Sequence, residues 1–335
     1  MLQVGVLRGL LAWLLACGAF MGLEAAGLAE GLALPVPLIA ALALARALGE
    51  SAWARRHGAL VAAVVALGAA ALGLAAWWCG LAPPAFSSGE TAAALLAGAG
   101  ATSLLAPRAV RAALMPPLGL DPGSPVHAVV LVAGVATVAS AAMLFVELRD
   151  EAAASLPFYA TDSVVAVVTD AALALAGVGF LLTRDGRAAR ERLDLRPLGP
   201  RLAAWALATA LGFHVVVGAL EWTESVLFPE LHALEDRFDY DFVGIPPLIG
   251  AVLVSVAAGV GEELLFRGAL QPRVGVVLSA ALFAALHVQY QVPGVLMIFA
   301  VGLALGVLKQ RTSTTFTMLV HVVYDLGAFL LDFLE

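Results

Sequence analysis

Apolar residues along this 335-residue chain come in long blocks, and charges and prolines gather between the blocks. Neither the period of two of a half-buried strand nor a one-sided helical stripe describes them. A helix needs about 20 apolar residues to cross a bilayer, and by that measure the pattern predicts about eleven spans. They fall near 6–23, 31–48, 58–80, 91–106, 126–146, 163–183, 202–222, 243–266, 274–289, 292–308 and 313–332. The fourth, ninth and tenth are short, so the expected range is nine to eleven. The fold class is an all-α polytopic membrane protein.

Composition agrees: 62% of residues are hydrophobic and 13% charged, with a mean hydropathy of +0.97. The net charge of −7 matters less than where the charges stand, because basic residues concentrate in cytoplasmic loops. Arg46, Arg55 and Arg56 follow span two, Arg108 and Arg111 span four, and Arg184, Arg187, Arg190, Arg192, Arg196 and Arg201 surround the connection after span six. Arg267 and Arg273 follow span eight, Lys309 and Arg311 span ten. The intervening loops carry Glu24 and Glu30, Glu90, Asp150 and Glu151, then the acids between Glu221 and Asp241. This alternation predicts a cytoplasmic N-terminus and, with an odd number of spans, an outward C-terminus. A multi-pass protein of a bacterial inner (plasma) membrane is expected, with the lipid bilayer as its surroundings and no nucleic acid as partner. Cys17 and Cys79 fit neither a disulfide framework nor a metal or redox pair.

The arginine-rich stretch 184–201, with Pro197 and Pro200, divides the chain into an N-terminal six-span region (1–183) and a C-terminal membrane domain (202–335). "LLAC" ending at Cys17 resembles a lipid-attachment box, but the start is weakly basic and many spans follow. The outward loop 221–241 interleaves seven acids with Trp222, Leu227, Leu231, Leu234 and Phe238. Either a short surface helix or a solvated acidic loop fits it.

Ionisable residues within a span are costly, so each asks for a partner or a task. Asp170 in span six could hold a proton or bond to a neighbouring helix; His214 in span seven is expected to share a buried hydrogen bond. The last four spans are richer, with Glu262, Glu263 and Arg267, then His287, then His321 and Asp325. Glu263 and Arg267, four apart, can pair on a helix, leaving Glu262 to point elsewhere. Phe283 and His287 share a face, as do His321 and Asp325. At 1.5 Å per residue, Glu262, His287 and His321 stand roughly 15 to 22 Å from the inner ends of their helices, so one cavity can receive all three. Gly302 and Gly306 form a GxxxG that allows close helix approach.

These residues resemble a known family. "EELLFR" at 262–267 matches EExxxR, "FAALH" at 283–287 matches FxxxH, and "HVVYD" at 321–325 matches HxxxN/D, in order and on successive spans. Together they resemble the CAAX prenyl protease and bacteriocin-processing family of intramembrane endopeptidases, related to the Ras-converting enzyme. The resemblance covers about residues 243–335. It implies a helical membrane fold with a cavity, open to the cytoplasm or to lipid, where a peptide bond of a membrane protein or peptide is hydrolysed. Carried over, Glu262 with His287 would activate water, and His321 with the residue at 325 would stabilise the oxyanion; Glu263, Arg267 and Phe283 would support them.

One position departs from the best-known members, which carry asparagine where this chain has Asp325. An ionised aspartate cannot donate to an oxyanion; it could act protonated, orient His321, or bind a metal. Glu262, His287, His321 and Asp325 have the composition of a zinc or other divalent site, and the family is described both as metal-dependent and as glutamate-dependent. No HExxH, GxSG or GxGD motif of the other intramembrane proteases is present. A non-catalytic scaffold or bacteriocin-immunity protein and an ion or proton transporter are the competing expectations. The intact charged set weighs against the first, and the lack of matching interrupted helices in the two halves weighs against the second.

Overall fold

The computed structural model describes residues 4–32, 35–49, 88–150, 156–235 and 240–334. Expected span three, with Arg55, Arg56 and Cys79, lies outside the described residues. Hydrocarbon offers the backbone no hydrogen bonds, so apolar runs satisfy themselves as helices. Helices α1 (Val4–Ala25), α2 (Val36–Gly49), α3 (Ser88–Leu105), α4 (Arg108–Leu114) and α5 (Pro125–Asp150) come first. After a short strand β1 (Leu156–Phe158) follow α6 (Ala160–Val178), α7 (Gly186–Arg192), α8 (Pro200–Leu227), α9 (Pro229–Glu235) and strand β2 (Tyr240–Phe242). Helix α10 (Pro247–Glu262) runs into a π-helical segment (Glu263–Leu270), and then come α11 (Gln271–Ala285), α12 (Gln291–Arg311) and α13 (Thr314–Asp332).

Among the described residues, seven helical stretches are long and apolar enough to cross a membrane. The protein is thus a polytopic all-α membrane protein. Val36–Gly49 and Leu96–Leu105 are apolar but shorter. Local chemistry sets the boundaries. Pro200 and Pro247 open α8 and α10, where a missing N–H costs nothing. The Ser313 hydroxyl accepts from the Phe316 N–H at the start of α13, and the Asp185 carboxylate from the Ala188 N–H at the start of α7. Expected spans eight and nine form one helical stretch, Pro247–Ala285, interrupted at Gly275 (φ +80°, ψ 172°). The break falls at Gly275 because only glycine adopts that backbone cheaply.

Helix α10 stands at the centre, packed against α6 on one side and α13 on another, while the π segment touches α6, α11 and α13. Small residues make this possible. A Cβ at Gly259 would sit 2.5 Å from Val322 Cγ2 on α13, and one at Gly261 would sit 2.8 Å from the Asp170 carboxylate on α6. The GxxxG on α12 works as expected: Gly302 faces Ala280 and Phe283, and Gly306 faces Val276 and Gln271.

Of the two forms expected for 221–241, the helical one is present in its described part, as α9 and the tail of α8. Two features depart from expectation. Among the described residues His214 Nε2 has no hydrogen-bond partner; its ring stacks on Tyr324 with centroids 4.7 Å apart, because Gly327 leaves room for it. Finally, β1 and β2 pair in parallel, Leu156 opposite Tyr240 and Phe158 opposite Phe242. Phe158, Tyr240, Phe242 and Phe329 pack their rings together there. The two strands are 84 residues apart in the chain, counting from 156 to 240, and no local pattern announces such a pair.

Candidate active site

Glu262 ends α10 and Glu263 opens the π segment. In that segment backbone bonds span five residues, the Gln271 N–H reaching Phe266 O. The same carbonyl accepts from the Ser279 hydroxyl at 3.1 Å, so α11 holds the widened turn from outside. The segment turns Glu263 and Arg267 fully inward. Their side chains are 0% and 1% exposed and stand 3.5 Å apart, the pairing that the spacing predicts. Among the described residues Arg267 has no hydrogen-bond partner; its guanidinium instead lies 4.6 Å from the centre of the Phe283 ring. Phe283 is a hub: its ring also meets Phe266 at 5.3 Å, His287 at 4.8 Å and His321 at 6.2 Å.

His321, on α13, stands among three carboxylates. Nδ1 is 3.2 Å from Glu263 Oε1, while Nε2 is 3.4 Å from Asp325 Oδ2 and 3.9 Å from Glu262 Oε2. Carboxylates only accept when ionised. The ring therefore suits its surroundings as an imidazolium donating from both nitrogens, or as a neutral ring facing a protonated acid on its Nε2 side. Exposure separates the two glutamates: the side chains of Glu262 and Asp325 are 25% and 20% open, whereas Glu263 is sealed. Glu263 anchors; Glu262 and Asp325 can be reached.

His287 is placed differently. It follows the last turn of α11, its Nδ1 lies 2.9 Å from Phe283 O, and its ring stacks near Phe283 and Tyr290. Among the described residues no hydrogen bond or ion pair joins it to Glu262. Nor is any group of three or more His, Cys, Asp or Glu side chains arranged to hold a metal ion among them. The set Glu262, His287, His321 and Asp325 does not form a donor shell.

Three neighbours carry no motif. Asp170 reaches Glu262 electrostatically across the bare Gly261; the sequence marks its depth but not its neighbour. Tyr240 on β2 stands in electrostatic contact with Glu262 and Asp325, and burial, then those two charges, push its phenol up to about 12. It is a neutral O–H donor across the physiological range. Tyr290, in the turn before α12, contacts Tyr240, Asp325 and Glu262 in the same way. Its position three residues after His287 is the one available signal.

The chain is a helical membrane protein that buries a Glu–Arg pair and holds a histidine among three carboxylates. Comparison with known proteins narrows that class. Residues 244–327 match the type II CAAX prenyl endopeptidase Rce1-like family, the resemblance that the three motifs carry. The uncharacterized protein YpbD of Bacillus subtilis (strain 168) is 28% identical over 156 residues, covering 45% of this chain and 79% of that protein. No solved structure gives a significant match. Asp170 and Tyr240 lie outside the matched stretch.

Proposed function

We propose that the protein is an intramembrane endopeptidase that hydrolyses a peptide bond of a membrane-associated protein or peptide. The observation that carries this is the grouping of Glu262, His321 and Asp325 above the sealed Glu263–Arg267 pair, on a stretch matching a protease family. Water attacks a carbonyl only when a base takes its proton and donors meet the oxygen on which charge develops. Glu262 is the reachable carboxylate and serves as the base, with His287 orienting the water. His321, charged and held on its far nitrogen by Glu263, meets the oxyanion; Asp325 either donates as its acid form or holds His321 as the imidazolium. Tyr240 and Tyr290 add neutral O–H donors at the same place. The low dielectric around them strengthens each of these contacts.

Residues 202–335 carry the reaction in this proposal, and the N-terminal region buttresses it through α6. The arginine-rich ends face the cytoplasm of a bacterial inner membrane. Membrane peptides from cells carrying the wild type or Glu262→Gln provide the test. At least one peptide should be shortened only with the wild type, while the variant accumulates and inserts normally. No change in peptide length would favour a scaffold that binds without cutting.

A further inference from the structure

Helix α6 ends in two carbonyls, Gly177 and Val178, and arginines from three separate segments converge on them. Arg46 of α2 donates Nε to Gly177 O at 3.3 Å and Nη2 to Val178 O at 3.0 Å. Arg273, at the start of α11, donates Nη2 to Gly177 O at 2.9 Å. Arg184, in the turn after α6, donates Nη1 to Val178 O. Two donors on one oxygen cannot stand more than about 6 Å apart at hydrogen-bond lengths, so these three guanidinium groups are neighbours. A fourth, Arg192 of α7, donates Nη1 to Gly268 O of the π segment at 3.2 Å and is in electrostatic contact with Arg184 and Arg273. His127, in the first turn of α5, borders Arg273 and Arg46, with Asp121 beside it.

The charges at this point do not balance. A helix C-terminus carries about half a negative charge, whereas Arg184, Arg192 and Arg273 bring three full positive ones. Among the described residues none of those three pairs with a carboxylate. Capping α6 would need one arginine; the others raise the repulsion. Burial, then Arg184, already pull the Arg192 guanidinium below its ordinary value. The group also sits where a candidate span ends, at Val178, the depth at which lipid phosphates meet the protein. Planar guanidinium forks from several directions match the oxygens of a phosphate.

We infer that Arg46, Arg184, Arg192 and Arg273 form a binding site for a phosphate group, that of an anionic phospholipid headgroup seated against the ends of α2, α6 and the π segment. The site is independent of the hydrolytic reaction. Because Arg192 bonds Gly268 O and Arg273 stands just past Leu270, an occupied site would stiffen the C-terminal end of the π segment.

The test uses the purified full chain in a neutral detergent. Thermal unfolding is followed with added phosphatidylglycerol, with phosphatidylcholine, and with inorganic phosphate. Phosphatidylglycerol should raise the melting temperature well beyond phosphatidylcholine. The double change Arg184→Gln with Arg192→Gln should weaken the apparent affinity by roughly fivefold per arginine, about twenty-five-fold together. Arg187→Gln with Arg190→Gln, exposed on the same short helix, should leave it intact. An equal rise with inorganic phosphate alone would support the site and identify free phosphate as its source. No preference for phosphatidylglycerol or phosphate over phosphatidylcholine, or an unchanged response in the double variant, would overturn it. Should the double variant not fold, native mass spectrometry of the wild type decides. Retained phosphatidylglycerol on most molecules supports the site, and indiscriminate or absent lipid refutes it.

Discussion

Adjacent carboxylates at 262 and 263 meet opposite surroundings, and residue chemistry follows from that contrast. Glu263 is sealed and holds both Arg267 and the Nδ1 of His321. The Glu262 side chain remains a quarter exposed. Glu262→Gln should therefore abolish cleavage with an unchanged melting temperature in detergent, since the amide keeps the shape but cannot take a proton from water. Arg267→Ala should act on stability instead. It strands Glu263 in a dry site, a loss of about 3 to 5 kcal/mol, visible as a lowered melting temperature and a smaller folded yield. Replacing both members, Glu263→Gln with Arg267→Met, should recover much of that stability, because no uncompensated charge remains. Cleavage should stay low, because His321 has lost its carboxylate anchor. Asp325→Asn separates two roles at one position. If the side chain donates to the oxyanion, asparagine should retain activity and extend it to higher pH, because an amide donates without a proton to lose. If its charge holds His321 as the imidazolium, activity should fall at every pH. A rate profile from pH 5 to pH 9 distinguishes the two outcomes.

At the scale of elements, the site depends on how closely α10, α6 and α13 approach. Gly259 and Gly261 lie on different faces of α10 and serve different neighbours, Val322 and Asp170. Gly259→Ala should push α13 away, because its Cβ would meet the Val322 backbone nitrogen at 2.7 Å and that backbone has no flexible end to yield. Overpacking of this kind costs about 1 to 3 kcal/mol. Since Val322 adjoins His321, cleavage should fall more steeply than stability. A variant with normal cleavage and a normal melting temperature would mean that α13 tolerates the shift. The π segment adds a second dependence. Its widened turn sets Glu263 and Arg267 inward and is tied from outside by Ser279. Ser279→Ala removes that tie while hardly changing volume, so a modest loss of stability, about 1 kcal/mol, is the expected result of a denaturation experiment.

At the scale of the whole molecule, helices before and after the arginine-rich stretch 184–201 pack together. Helix α6 packs on α10 and on the π segment, Arg273 is bonded to the end of α6, and Asp170 stands beside Gly261. A protein beginning at residue 200 would keep every motif residue yet expose the α10 face that α6 covers. It should fail to give a stable, monodisperse particle on size-exclusion chromatography in detergent. Recovery on co-expression with residues 1–199 would show that the missing support is the packing itself and not the covalent connection.

What could be read from the chain, and what could not, divides by the range of the interactions. The helical, polytopic character was legible, though not the count of eleven spans, because hydrocarbon forces each apolar run to satisfy its own backbone, a demand local to the run. The Glu263–Arg267 pair and the His321–Asp325 pair were legible for a related reason: residues four apart on a helix meet whatever surrounds it. The motif order carried the family resemblance, since successive spans keep their order. Distance in sequence hid the rest. The π turn depends on a hydroxyl from α11, and the strand pair on residues 156 and 240. The nearness of Asp170, Tyr240 and Tyr290 to Glu262 depends on helices and strands brought together by packing. Which nitrogen of His321 meets which carboxylate, and that three arginines share the end of one helix, are decided by the same packing. Long-range contacts of this kind leave no period in a sequence, because the partners need only be complementary in space.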